Sequence, residues 1–119
     1  MTRWSGWWEQ RGFGRQEMLN LLLEVSPEGE MSGSGDDCVG AFTIKGMIAP
    51  EVRLVKRYVG QHALVYVGTN SGEGIFGTWQ VPGVPAIAGW TSGRFALFPT
   101  RGSSADCAEI RELEPAGCR

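Results

Sequence analysis

Turn-forming residues divide this chain into short segments, and their spacing constrains the fold more than any other feature. Glycine occurs 18 times in 119 residues, about twice its usual share. Together with proline, asparagine and aspartate, the glycines interrupt the chain about every 8 to 12 residues, a spacing typical of β-sandwiches and β-barrels. Such short segments leave no room for the crossover helices that join parallel strands. The sequence therefore predicts an all-β protein with antiparallel strands.

The segments between these turns read as eight strands. Because successive strands are joined by tight turns, we expect an eight-stranded antiparallel up-and-down barrel, a closed form that leaves no exposed sheet edge. The predicted organisation is a single domain over residues 1–119, with the barrel at about 4–99 and a tail or short helix at 100–119. The predicted strands are residues 4–10, 16–25, 30–35, 38–48, 51–58, 62–69, 74–81 and 92–99.

Only the C-terminal segment has a helical pattern. Ser103 or Ser104 can cap a helix there, and Cys107, Ile110 and Leu113 recur every third residue as a narrow apolar stripe. We expect a short helix or 3₁₀ segment that closes one end of the barrel, with a frayed tail as the alternative.

Composition argues against several classes of protein. A net charge of -2 and a pI near 5.4 are unlike a dedicated nucleic-acid binder, which is usually basic. The apolar stretches are too short to span a membrane as a helix, and the N-terminal residues lack the apolar region of a signal peptide. The three cysteines, Cys38, Cys107 and Cys118, are expected to be free thiols in the cytoplasm. A bridge between Cys107 and Cys118 is the alternative.

The positions of arginine decide which side chains enter the barrel. Two inward-facing arginines in the fifth predicted strand would each cost several kcal/mol without partners, on the order of 3–5. Arg53 and Arg57 are therefore expected to face water, which turns Leu54, Lys56 and Tyr58 inward.

A three-residue loop at residues 59–61 would pair Tyr58 with His62 and carry Leu64 and Tyr66 inward. A two-residue loop would reverse the sixth strand. The same alternation points Trp8 and Trp79 inward.

These inward positions form a polar minority inside an apolar barrel. The set consists of Lys56, Tyr58, His62 and Tyr66, close to Trp79. One interpretation is a buried network that satisfies its own hydrogen bonds. The other is a pocket that binds a small molecule, with Lys56 holding an acidic head group and Trp8 and Trp79 lining the apolar part. The buried ammonium needs an acceptor, for which Tyr66, His62 or a bound anion are the candidates.

Several motifs match known chemistry only superficially. Residues 72–77, GEGIFG, have the glycine pattern of a dinucleotide-binding loop, but the following residues predict a strand rather than the required helix. Asp36 and Asp37 lie in a glycine-rich turn that lacks the other ligands of a calcium loop, so turn chemistry explains them. His62 is the single histidine, and no nucleophile elbow accompanies it. No cofactor or metal is therefore predicted.

The glycine and aromatic segments resemble the calycin superfamily, and among its members the avidin-like small barrels. The resemblance is a pattern over residues 4–99. It implies a small barrel that binds a ligand in its interior or at its open end, and suggests Arg94 for the arginine that closes over the first-strand tryptophan. Biotin-contacting positions do not carry over. The segments that carry the resemblance are residues 4–8 (WSGWW), 40–44 (GAFTI), 77–79 (GTW) and 93–97 (GRFAL).

The function expected from these patterns is non-enzymatic binding of a small acidic or apolar molecule inside the barrel. One alternative is a protein-interaction barrel with a filled core, which would act through its outer face or through Trp90 as an interface anchor. The other is an enzyme that uses Lys56, Tyr58 and His62 as acid–base groups. Outward Val65 and Val67 favour self-association.

Overall fold

A computed structural model describes residues 1–85 and 91–100, and these form a closed barrel. Every strand pairs antiparallel with its neighbours in sequence, and β1 pairs with β8 to close the sheet. The predicted barrel is confirmed, with strand ends displaced by up to three residues. The strands are β1 (Thr2–Gln10), β2 (Gly14–Val25), β3 (Glu30–Asp36), β4 (Ala41–Met47), β5 (Val52–Tyr58), β6 (Ala63–Asn70), β7 (Ile75–Gln80) and β8 (Ser92–Pro99).

Residues 1–85 and 91–100 contain no helix, and accordingly none that is long and apolar enough to cross a membrane. The predicted C-terminal helix, Cys107 and Cys118 lie outside the described residues, and so does Trp90. The thiol of Cys38 is exposed and unpaired within the described part of the chain.

Alternation along the strands places the apolar side chains in one interior, as expected for a small barrel filled by its own residues. Along β5 the pattern is regular, with Val52, Leu54, Lys56 and Tyr58 buried and the intervening residues exposed. The predicted outward orientation of Arg53 and Arg57 follows from the same pattern. The core consists of Trp8, Met18, Leu21, Leu23, Met31, Phe42, Ile44, Ile48, Val52, Leu54, Tyr58, Leu64, Tyr66, Ile75, Trp79, Phe95 and Leu97.

An irregularity in β2 explains why alternation in the sequence could not orient Leu21, Leu22 and Leu23. The pairing of β2 with β3 shifts between Leu19 and Leu22, and Asn20 adopts a left-handed backbone with φ of 53°. An extra residue of this kind is a β-bulge, which changes which side of the sheet the following residues face. As a result Leu21 and Leu23 are buried, whereas Leu22 is exposed.

A glycine, Gly93, allows β8 to lie close against β1, the strand pair that closes the barrel, next to Trp79. A Cβ on Gly93 in β8 would overlap the backbone carbonyl of Glu9 in β1 and lie 2.7 Å from Nε1 of Trp79. Glycine therefore permits the close approach of the strands here. The space left by the missing side chain lets Trp79 Nε1 donate a hydrogen bond to the Glu9 carbonyl at 2.9 Å.

Candidate functional site

A cavity of about 140 Å³ lies at one end of the barrel. The strands β1, β3, β5 and β7 all end here, because successive strands alternate in direction. The lining is mostly aromatic and aliphatic, as in sites that bind small molecules. The lining residues are Trp8, Gln10, Val39, Tyr58, His62, Leu64, Trp79 and Val81.

Two tryptophans from distant strands form the aromatic wall of this cavity. The rings of Trp8 and Trp79 meet edge to face, with centroids 6.0 Å apart and planes at 88°. Phe13, from the turn after β1, stacks on Trp8 at 6.0 Å. Both indole N–H groups donate within the protein, from Trp8 to Asp37 Oδ2 and from Trp79 to the Glu9 carbonyl. These hydrogen bonds fix both rings, which leaves their carbon surfaces for the cavity.

Asp37 lies behind the aromatic wall and is the member of the candidate site that the sequence did not predict. Its carboxylate oxygen Oδ2 accepts hydrogen bonds from Lys56 Nζ at 2.7 Å, Tyr58 Oη at 2.9 Å and Trp8 Nε1 at 3.0 Å. The other oxygen, Oδ1, accepts from the Val39 amide at 2.9 Å. Asp37 therefore stabilises the turn through its bond to the Val39 amide, as predicted, and also supplies the acceptor that Lys56 requires.

Lys56 and Asp37 form an ion pair whose two side chains are fully shielded from solvent. The Lys56 ammonium also donates to Tyr66 Oη at 3.2 Å and lies 4.3 Å from the centre of the Phe42 ring and 4.9 Å from that of Tyr58. Ring faces attract a cation at these distances. The predicted acceptors were Tyr66, His62 or a bound anion. Of these, Tyr66 contributes, whereas the charge is balanced by Asp37.

Burial and the ion pair together shift the pKa values of this cluster, downward for Lys56 and Asp37 and upward for the two tyrosines. Desolvation lowers the pKa of Lys56 to about 8 against the support of Asp37. Burial alone would raise the pKa of Asp37, but the hydrogen bond and charge of Lys56 outweigh it and leave that pKa lowered. Desolvation raises the pKa values of Tyr58 and Tyr66. At neutral pH the cluster thus contains a carboxylate, an ammonium and two neutral phenols.

Comparison of this chain with models of protein families, with curated proteins and with solved structures finds no match. The site is therefore interpreted from its own geometry.

The structure divides the six predicted site residues into two layers. Trp8, Tyr58, His62 and Trp79 line the cavity. Lys56 and Tyr66 are almost completely buried and lie one step further along β5 and β6 from the open end.

The prediction that His62 belongs to the buried cluster is wrong. The three-residue loop is confirmed, since the Tyr58 amide donates to the His62 carbonyl at 3.1 Å. His62, however, precedes the first ladder residue of β6 and is exposed. Its ring lies 5.3 Å from that of Tyr58 at the cavity mouth, because β6 begins only at Ala63 and His62 lies in the loop before it.

Arg94 does not close over a first-strand tryptophan. It faces outward and binds the Glu9 carboxylate with Nη2 at 2.9 Å. The guanidinium that covers Trp7 is that of Arg15, 3.6 Å from the ring centre. In the described part of the chain, no group of three or more His, Cys, Asp and Glu side chains is placed to hold a metal ion.

Proposed function

We propose that this protein is a non-enzymatic binding barrel whose ligand is a small, uncharged and largely apolar ring. The observation that carries the proposal is the aromatic cavity, in which the polar groups of Trp8, Trp79 and Tyr58 are already hydrogen-bonded to the protein. A ligand packed against these three side chains meets ring carbon surface rather than unsatisfied donors. Apolar ring contact is the interaction that such a wall favours.

The size of the cavity limits what can enter. Its volume is about 140 Å³, close to that of an engineered apolar cavity of about 150 Å³ that binds benzene. Larger ligands of typical binding sites need about 300 Å³ or more. A single ring therefore fits inside, and any polar substituent would extend toward Gln10 and His62 at the mouth.

The buried ion pair argues against the acidic ligand expected from the sequence. An acidic head group would have to reach Lys56, which is completely buried and already bound to Asp37. Displacing Asp37 would leave its carboxylate buried without a cation, at a cost of several kcal/mol, on the order of 3–5. The same inaccessibility disfavours acid–base catalysis by Lys56 together with His62, since His62 is exposed at the mouth.

Isothermal titration calorimetry with indole and phenol tests this proposal. We expect saturable binding by the natural protein, and weaker binding of indole-3-acetate and tetramethylammonium. Leu64→Phe places extra volume in the cavity and should abolish binding. Val65→Phe is the matched control, since Val65 is the next residue on β6 and points to the opposite side. No saturable binding of any ring, or equal binding by the Leu64→Phe variant, would overturn the proposal.

A further inference from the structure

A second feature lies on the outer surface, separate from the cavity. Four adjacent strands, in the order β7, β8, β1 and β2, bring together two arginines and two outward-facing aromatic side chains, Trp7 and Phe76, around a shallow groove. The ladder aligns Thr78 with Arg94 and Glu9 with Arg15. The groove is lined by Trp7, Arg15, Phe76, Gly77, Thr78, Arg94 and Phe95.

Glu9 holds the two arginines in a fixed arrangement. Arg15 donates to Oε2 of Glu9 through Nε at 2.8 Å and Nη2 at 2.7 Å. Arg94 donates to Oε1 through Nε at 3.1 Å and Nη2 at 2.9 Å. The Arg15 hydrogen bond is the main reason that the pKa of Glu9 is lowered. Both guanidinium groups are therefore preorganised on one carboxylate, which lowers the entropy lost when they bind a further anion.

The charge of this arrangement is unbalanced. Two guanidinium groups and one carboxylate leave one net positive charge, and the Arg94 and Arg15 side chains remain 68% and 49% exposed. Glu17 lies opposite Trp7 on β2, on the side of β1 away from Arg94 and Phe76, so its charge adjoins Arg15 rather than Arg94.

Apolar surface adjoins these exposed cations. Phe76 is 44% exposed and rests against Phe98 with ring centroids 5.4 Å apart. Trp7 is half-buried and carries Arg15 on its face. Aromatic side chains and arginine are the residues most enriched at the centres of protein interfaces.

We propose that this groove is a docking site for an acidic peptide segment of a partner protein, with carboxylates on Arg94 and Arg15 and an apolar side chain against Phe76 and Trp7. Charge complementarity selects this occupant, because the groove is positive on a chain whose net charge is -2. A second copy of the chain fits poorly, because a two-fold contact through this groove would place the arginines of both copies face to face. The docking site is independent of the ring-binding cavity.

Fluorescence anisotropy with a labelled pentapeptide, Glu-Phe-Glu-Leu-Glu, tests the proposal on the full chain. We expect saturable binding that weakens as salt is added, and no binding of the analogue with glutamine at the three acidic positions. Arg94→Gln should weaken binding at least about tenfold, the loss expected for a charged hydrogen bond. Arg53→Gln is the matched control, since Arg53 is an exposed arginine on β5, and should leave the affinity unchanged. Thermal melts of both variants check that they are folded.

Three outcomes would overturn the proposal. The first is equal binding of the acidic and glutamine peptides, which would show that charge does not select the occupant. The second is equal weakening by Arg94→Gln and Arg53→Gln, which would indicate a diffuse charge effect. The third concerns the C-terminal segment, whose acidic residues include Glu109 and Glu112. If the acidic peptide binds only after both are replaced by glutamine, the groove belongs to this segment of the chain rather than to a partner protein.

Discussion

Lys56 Nζ lies 2.7 Å from Asp37 Oδ2 in the barrel interior, where neither side chain contacts solvent. A buried pair of this kind contributes little net stability compared with an apolar pair, but it is costly to break. The same carboxylate binds Tyr58 and Trp8, so the ion pair also supports two residues of the cavity wall.

Removing one partner of this pair should destabilise the fold strongly. Asp37→Asn leaves the Lys56 ammonium buried without a counter-charge, and we expect the free energy of unfolding to fall by about 3–5 kcal/mol. Asp36→Asn is the matched control, because Asp36 is half-buried and binds Asn20, and it should cost no more than about 1 kcal/mol. Urea unfolding measures both. Equal stability of the two variants would contradict the role of Asp37.

Removing both charges should restore most of the loss. In the double variant Asp37→Asn, Lys56→Met, no charge remains buried, and the asparagine carbonyl can still accept from Tyr58. We expect a stability within about 2 kcal/mol of the natural protein, well above either single variant. A double-mutant cycle measured by urea unfolding gives the interaction free energy between Asp37 and Lys56. Additive losses would show that the two residues act independently.

The lowered pKa of Lys56 predicts a rise in stability under mildly alkaline conditions. The pKa is about 8 in the folded protein against 10.5 for an ordinary lysine, so the unfolded chain binds more protons between these values. Stability contributed by this residue therefore increases as pH rises from about 8. Above about pH 10 the raised pKa values of Tyr58 and Tyr66 act in the opposite direction, because only the unfolded tyrosines ionise there.

The measurement is urea unfolding of the natural protein and the Lys56→Met variant at intervals from pH 7 to 10. The free energy of unfolding of the natural protein should rise relative to the variant, with a slope of at most about 1.4 kcal/mol per pH unit. A constant or falling difference would show that the ammonium is not destabilised by its surroundings.

Gly93 should be the least replaceable glycine near the cavity. Gly93→Ala forces β1 away from β8 and disturbs the hydrogen bond of Trp79, so we expect a loss of more than about 2 kcal/mol. Gly72→Ala is the control, because a Cβ there meets open space although φ is 93°, and a left-handed alanine costs about 1–2 kcal/mol. Thermal melts should rank Gly93→Ala as the less stable variant, and the reverse order would contradict the steric argument.

The turn signals and the alternation of the strands were sufficient to predict the barrel. A glycine, proline, asparagine or aspartate lies at or within three residues after the end of each strand, and a regular strand such as β5 buries every second residue. The exposure required of Arg53 and Arg57 also placed Lys56 and Tyr58 inside. These inferences were correct because the charge of a side chain and the alternation of side chains along a strand can both be read from residues close together in the sequence.

The remaining features depend on contacts between distant segments. Asp37 looked like a turn residue, and only the closed barrel brings its carboxylate to Lys56. One signal could have identified Asp37. A buried lysine needs a carboxylate partner, and Asp37 lies in a turn at the same end of the barrel as Lys56. The bulge at Asn20 and the exposure of His62 arise where the strand ladder shifts or ends, which the alternation of residues cannot reveal.

The most direct test of the proposed ring site is an NMR titration in which free indole is added to protein that carries isotope-labelled tryptophan, so that only the protein's own tryptophan signals are observed. If the cavity binds the ring, the indole N–H resonances of Trp8 and Trp79 should shift with one common saturation curve, while those of Trp4 and Trp7 stay in place. Shifts that increase without saturation, or that affect Trp4 and Trp7 equally, would contradict binding in the cavity.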